Sequence, residues 1–215
     1  MQCRRGILNI VAVIIGCLLS AVNLFAGSLR IDVEHGYGAQ PLLLNSLRYG
    51  GVEKHSISRL SYLCSDFSLL REDGVWLSLA DQYAYIDVAK RRTRFYLKNV
   101  PEGKYKSLRF SVGVPEKQNH SDPAVYPADH PLNPNINQLH WDWTGGYIFL
   151  ALEGKYRNSE NELIGLVYHL ANDPQLSSVT VDCRFRVKQR TGLNLRFDVE
   201  RLLSQPRQIS FEKEQ

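Results

Sequence analysis

Six histidines are the side chains of this sequence best suited to bind a transition metal. Neutral imidazole is a suitable ligand for copper, the divalent first-row ion that a generic nitrogen site holds tightly. Two of the six continue alternating apolar series: His35 follows Ile31 and Val33, and His169 follows Val167. Two imidazoles that entered from inner strand faces could form a low-coordinate site of the kind that Cu(I) tolerates. Alternatively, each is a core or rim histidine whose nitrogens are satisfied by hydrogen bonds.

The other histidines are weaker candidates. His120 stands at the start of a proline-rich segment and could cap such a site, whereas His130 and His140 lie further along that segment and His55 resembles a solvated turn residue. The spacings His-x-x-x-His and Cys-x-x-Cys are absent, which excludes the common zinc signatures. Met1 is the single methionine, so a methionine-rich copper site is excluded and a blue-copper site is disfavoured.

Catalytic motifs are missing from the sequence. It has neither a Gly-x-Ser-x-Gly elbow nor a phosphate loop. Asp142 and Glu153 could be read as a glycosidase pair, but two carboxylates alone are a weak signal, because that chemistry needs a defined separation. Trp141 and Trp143 could form a platform for a sugar, although we favour a packing role at one end of the domain. The formal net charge of +4 forms no basic stripe. We therefore expect a protein that binds and does not catalyse.

Alternation of apolar and polar residues predicts the elements that would position these side chains. A period of two indicates strands with one solvated face. The clearest series lie at 29–33, 108–114, 179–187 and 193–199. Further candidate strands are 59–70, 75–79, 93–98, 146–153 and 162–170. No long helical pattern occurs, and only 199–204 is expected to form a helical turn. Many short antiparallel strands predict an all-β fold, an antiparallel β-sandwich.

One segment, residues 115–143, interrupts the strand pattern. It carries five of the nine prolines, three of the six histidines and two of the three tryptophans. A loop of this length inside a compact domain is usually functional or disordered. Its aromatic end, residues 140–143, favours order because tryptophans bury large areas. We therefore expect a long, ordered, proline-rich loop on the sandwich.

The amino terminus predicts export. Two arginines precede an apolar run over residues 7–19, and a small-residue step follows at Ala26. This arrangement is typical of a secretory signal peptide. We expect a signal peptide over residues 1–26, cleaved after Ala26, and one mature domain over residues 27–215, located in a periplasm.

The cysteines allow two further interpretations. Residues 14–17 resemble a lipoprotein box that would place a lipid on Cys17, but the residues after it stay apolar instead of forming a polar tether. A mature chain would keep only Cys64 and Cys183. Outside the cytoplasm two such cysteines pair more often than they stay free, so a Cys64–Cys183 disulfide is expected if their Cα atoms lie within about 7 Å.

The central part of the chain has a specific order of short motifs. A Gly-Val-Pro strand end at 113–115 precedes an Asn-His step at 119–120 and a Pro-Leu-Asn step at 131–133. The pattern Trp-x-Trp-x-x-Gly-Tyr-x-Phe follows at 141–149, and Tyr-His-Leu at 168–170. In this order and spacing the sequence resembles the MbnP-like family of methanobactin-associated periplasmic copper-binding proteins. The resemblance extends over nearly the whole predicted mature chain.

The resemblance implies an all-β domain that binds copper outside the cytoplasm. In some relatives a di-haem enzyme of the cytochrome c peroxidase type oxidises a tryptophan to kynurenine, and histidines bind copper together with the modified residue. This chain lacks the Trp-x-His step of those relatives. Histidine placement and the resemblance together select His35, His169 and His120 as copper ligands. Binding should weaken below about pH 6, where histidines protonate. A metal-free binding or adhesion sandwich is the alternative.

Overall fold

The computed structural model describes residues 26–50, 53–141 and 145–213. The expected signal peptide, the candidate lipid site at Cys17, Asp142 and Trp143 lie outside the described residues, so the expectations placed on them stay predictions. Within the described ranges no helix is long and apolar enough to cross a membrane.

The described residues form thirteen strands and three short helices. The strands are β1 (Ala26–Tyr37), β2 (Gln40–Pro41), β3 (Arg48–Gly50), β4 (Glu53–Arg71), β5 (Trp76–Ser78), β6 (Ala84–Asp87), β7 (Arg94–Pro101), β8 (Gly103–Val112), β9 (His140–Trp141), β10 (Gly146–Arg157), β11 (Leu163–Ala171), β12 (Ser177–Val187) and β13 (Arg190–Asp198). The helices are α1 (Glu116–Asn119), α2 (Pro134–Asn137) and α3 (Val199–Ser204). The strands confirm the all-β prediction, and α3 confirms the helical turn expected near the carboxyl end.

Two sheets build the sandwich. The smaller sheet has the order β13-β1-β2, with β7 also paired to β1. The larger sheet has the order β11-β10-β4-β8-β12, and β3, β5, β6 and β9 attach to β4 or β10. All pairs but one are antiparallel among the described strands, and the exception is β1 with β13, which run parallel over nine residue pairs. Alternation separates the two faces of a strand but does not give the direction of its neighbour, so the sequence could not reveal this pair.

The core lies between the sheets and extends behind the larger one. Leu29 and Ile31 of β1 are fully buried between the sheets, as the alternation predicts. A second apolar cluster on the far side of the larger sheet includes Leu63, Tyr147 and Phe149. Because β10 is covered on both sides there, its residues from Tyr147 to Leu152 form a continuous buried run instead of an alternating one.

The proline-rich segment is the cover of that second cluster. It contains α1, a 3₁₀ turn at Pro123–Val125, α2 and β9, so it is a series of short ordered elements and not one irregular loop. Asn119 fixes it to the sheet, since its side-chain oxygen accepts from the backbone N–H of Tyr147 at 2.7 Å. Leu132 of the same segment is fully buried, and its carbonyl accepts from the Tyr147 hydroxyl.

The expected disulfide is wrong, because Cys64 and Cys183 are both free thiols. Cys64 on β4 lies opposite Val112 on β8, and Val112 lies opposite Ser177 on β12. Cys183 is six residues further along β12, which is about 20 Å at the usual rise per strand residue. The two Cα atoms are therefore far outside the range that a disulfide can bridge.

Candidate metal-binding site

His35 projects from β1 into the space between the sheets. Its Nε2 lies 3.0 Å from the hydroxyl oxygen of Tyr62 on β4. Its ring also packs against two aromatic rings, with centroid distances of 5.9 Å to Tyr62 and 5.7 Å to Phe197 of β13. The prediction that His35 continues the inner face of the first strand is therefore confirmed.

Burial keeps this imidazole neutral over a wide pH range. Desolvation lowers the pKa of His35 from 6.5 to about 4, although a hydrogen bond with the Val33 backbone acts in the opposite direction. That bond favours the charged form, which identifies the ring as its donor. The other close polar contact of the ring is the one between Nε2 and the Tyr62 hydroxyl.

His169 lies on the outer side of the larger sheet. Its Nε2 donates to Oε1 of Glu153 at 2.9 Å, and Nη1 of Arg59 donates to the same oxygen at 2.8 Å. The Trp141 ring packs 6.2 Å away, centroid to centroid. His169 does share a strand face with Val167, but Val167 is 66% exposed, so the expectation that this is an inner face is wrong.

The carboxylate of Glu153 is held by these two partners. Burial acts to raise the pKa of Glu153, but the hydrogen bonds from His169 and Arg59 and the positive charge of Arg59 outweigh it and keep the pKa below its usual value. A metal ion arriving at His169 would have to replace its contact with Glu153. It would also sit close to the Arg59 guanidinium, which repels cations.

His120 forms an exposed ion pair. It is the C-cap residue that directly follows α1, and its Nε2 donates to Oδ2 of Asp173 at 2.8 Å. The hydrogen bond and the charge of Asp173 raise the pKa of His120. Asn119 donates to the other oxygen of the same carboxylate. His120 therefore links the proline-rich segment to the turn after β11.

The structure does not bring the three predicted ligands together. His169 is aligned with Ala151, and Ala151 is aligned with Ser61. Ser61 and Tyr62 are neighbours on β4, so their side chains point to opposite faces of the sheet. Since His35 contacts Tyr62, the backbone of the larger sheet separates it from His169. Across the described ranges no group of three or more His, Cys, Asp or Glu side chains could hold a metal ion.

The remaining histidines pack against aromatic rings. His55 is fully buried, with ring centroids 5.4 Å from Tyr37 and 4.9 Å from Phe211. The expectation of a solvated turn at His55 is therefore wrong. His130 stacks on Tyr126. The same period of two that places Ile57 in the core also places His55 there, and this signal could have identified it.

Sequence reasoning missed the partners that determine what each histidine can do. Tyr62 lies two residues from Leu60 on the inner face of β4, so the alternation could have predicted its burial. The contact between Tyr62 and His35 could not be predicted, because the two residues are 27 positions apart and lie in different sheets. Arg59 and Glu153 are 94 residues apart and meet only because β4 pairs with β10.

Comparisons with known proteins agree on one family. The sequence profile of the MbnP family matches residues 26–215. The fold is similar to MbnP from Methylosinus trichosporium, with a TM-score of 0.53, 15% identity, and coverage of 79% of this chain and 76% of that one. No curated protein matches the chain in sequence. The chain belongs to the MbnP family.

Proposed function

We propose that this protein binds copper outside the cytoplasm and captures or stores it as Cu(I), with the Nε2 of His35 as one of its ligands. Membership of the MbnP family supports a methanobactin-associated role. The observation that carries the proposal is the place of His35, whose Nε2 lies 3.0 Å from the Tyr62 hydroxyl and whose imidazole burial keeps neutral, with a pKa of about 4. In metal sites a hydrogen bond from the second ring nitrogen commonly fixes the ring orientation.

His35 is better prepared for a metal than the other two predicted ligands. His169 and His120 each donate to a carboxylate, so a metal would have to break a charge-assisted contact at either position. At His35 the ion would replace one hydrogen bond from Tyr62. The surrounding rings of Tyr62 and Phe197 provide a largely apolar environment, which suits a weakly hydrated monovalent ion.

Competition titration of Cu(I) with a chromophoric chelator tests this assignment. His35→Ala should lower copper affinity by more than about a hundredfold, since loss of a supporting contact alone costs about ten- to a hundredfold. Tyr62→Phe should retain binding, because the hydroxyl competes for Nε2 in the apo protein. His169→Ala and His120→Ala are matched controls and should bind as the wild type does. Unchanged affinity in the folded His35→Ala variant would remove the site.

The pH dependence of binding follows from the same site. A ligand with a pKa of about 4 remains available well below the pH of about 6 at which ordinary histidines protonate. Copper binding should therefore persist at pH 5 and fall toward pH 4. A site at His120 would behave differently, because the pKa of that residue is raised and protons would displace the metal at a higher pH than at an ordinary histidine.

The proposal includes a di-haem partner of the cytochrome c peroxidase type, and mass spectrometry tests it through the oxidation of a tryptophan. Trp141 lies beside His169, so its conversion to kynurenine would add a carbonyl and an amine next to that imidazole. Intact mass of the exported protein reports such a conversion directly. Copper loss in His169→Ala, together with that mass, would move the site to the outer face. Absence of any copper response would favour the metal-free binding module.

A further inference from the structure

The sandwich is open on one side, between its two last strands. β12 ends the larger sheet and β13 ends the smaller one, and they are not hydrogen-bonded to each other. A cleft of about 480 Å³ lies there, and α3 borders one end of it. Its apolar lining includes Phe110, Val112, Val179, Val181, Leu195 and Phe197 from β8, β12 and β13, and it reaches Tyr62 of β4. We call it the β12–β13 cleft.

The walls of this cleft are apolar but incompletely covered. Val179 and Val181 of β12 and Leu195 and Phe197 of β13 remain half-buried, whereas the inward residues of the central strand β1 are buried. Apolar surface left in contact with water is unfavourable in proportion to its area. The cleft volume lies in the usual range for small-molecule sites, about 300–1,000 Å³. A small apolar group would therefore be stabilised between the sheets.

Charged side chains lie at the rim of the cleft, and they differ in whether another group already holds them. Arg196 donates to the backbone carbonyls of Gly38 and Gln40, and Asp198 accepts from the backbone N–H groups of Gly38 and Glu200. Arg201 of α3 also lines the cleft. Its guanidinium makes no hydrogen bond or ion pair with any residue that the structure describes.

We propose that the β12–β13 cleft binds one small amphipathic anion, a monocarboxylate with an aliphatic or aromatic tail. The tail would lie between the sheets, and the carboxylate would contact Arg201, whose planar guanidinium matches carboxylate geometry. A cationic head group would meet repulsion at that point, and a wholly polar molecule would leave the walls uncovered. The lining of the cleft does not include the proposed copper ligand His35. Tyr62 and Phe197 line the cleft and also contact His35.

Decanoate is the probe for this proposal, with decyltrimethylammonium as the probe of equal tail and opposite charge. Titration calorimetry below the micellar range should give saturable one-to-one binding of decanoate and none of the cation. Arg201→Gln should weaken decanoate binding by about ten- to a hundredfold, the value of a hydrogen bond to a charged group. Arg184→Gln, on the outward face of β12, is the matched control and should have no effect.

A second variant tests the position of the tail. Val181→Trp fills the cleft and should abolish decanoate binding while the protein stays folded by circular dichroism. Equal affinity for both head groups, equal affinity in Arg201→Gln, or unchanged binding in Val181→Trp would overturn the proposal. Arg201→Gln should bind Cu(I) as the wild type does, so the failure of this site and the failure of the copper site are distinguishable.

Discussion

The buried imidazole of His35 predicts that acid destabilises this protein before its carboxylates titrate. The pKa of His35 is about 4 in the folded chain and 6.5 in the unfolded chain. Between these values the unfolded state binds the extra proton, so the free energy of unfolding falls as pH falls. The contribution is fully present above pH 6.5. About 2 kcal/mol of it is lost between pH 7 and pH 5, and about 3 kcal/mol by pH 4.

Urea unfolding at half-unit pH steps from 7.5 to 4.5 measures this loss. The wild type should show a slope of about 1.2 kcal/mol per pH unit between pH 6 and pH 5 beyond that of His35→Gln, which cannot take up the proton. His120→Gln should differ in the opposite sense. The pKa of His120 is raised by Asp173, so its contribution is present at low pH and lost as pH rises. Parallel profiles for the wild type and His35→Gln would refute the argument.

Three further predictions concern packing and thiols. Gly154→Ala should lower stability by about 1–3 kcal/mol in urea unfolding, because its methyl group would overlap a carbonyl oxygen of β4, whereas Gly165→Ala, with open space around it, should not. Asn119→Ala should cost about 1–3 kcal/mol and make the proline-rich segment sensitive to limited proteolysis, since it leaves a buried backbone N–H unsatisfied. In a chain that begins at Gly27, two thiols should titrate under denaturing conditions without reductant, and in the native state Cys183 should react faster than Cys64, whose pKa burial raises to about 12.

The strands were predictable because each local pattern agrees with the final fold. The alternation around Leu29 and Ile31 correctly assigned the inner face of β1, and it also assigned His35. The same rule failed for His169. A period of two separates two faces but does not say which is buried, and β11 is an edge strand that leaves Val167 exposed. His169 was therefore assigned to the wrong side of its sheet.

The candidate site was only partly predictable for a different reason. His35 was identifiable as a ligand by its residue type and its face, but its state depends on Tyr62 and Val33, and the Tyr62 contact exists only after two sheets pack together. The disulfide prediction was wrong for a similar reason. Cys64 and Cys183 are on strands of one sheet, but the register of their strands with β8 sets them far apart. Local composition does not determine the register between strands that are distant in sequence.

The parallel pairing of β1 with β13 joins the first described strand to one of the last. Their contacts span more than 150 residues of sequence, from Ser28 with Arg190 to Gly36 with Asp198. Loop closure over such a distance is slow and depends on the rest of the fold being in place. The smaller sheet cannot be completed until β13 has been synthesised. A nascent chain that stalls before β13 would leave one edge of β1 without its hydrogen-bonding partner.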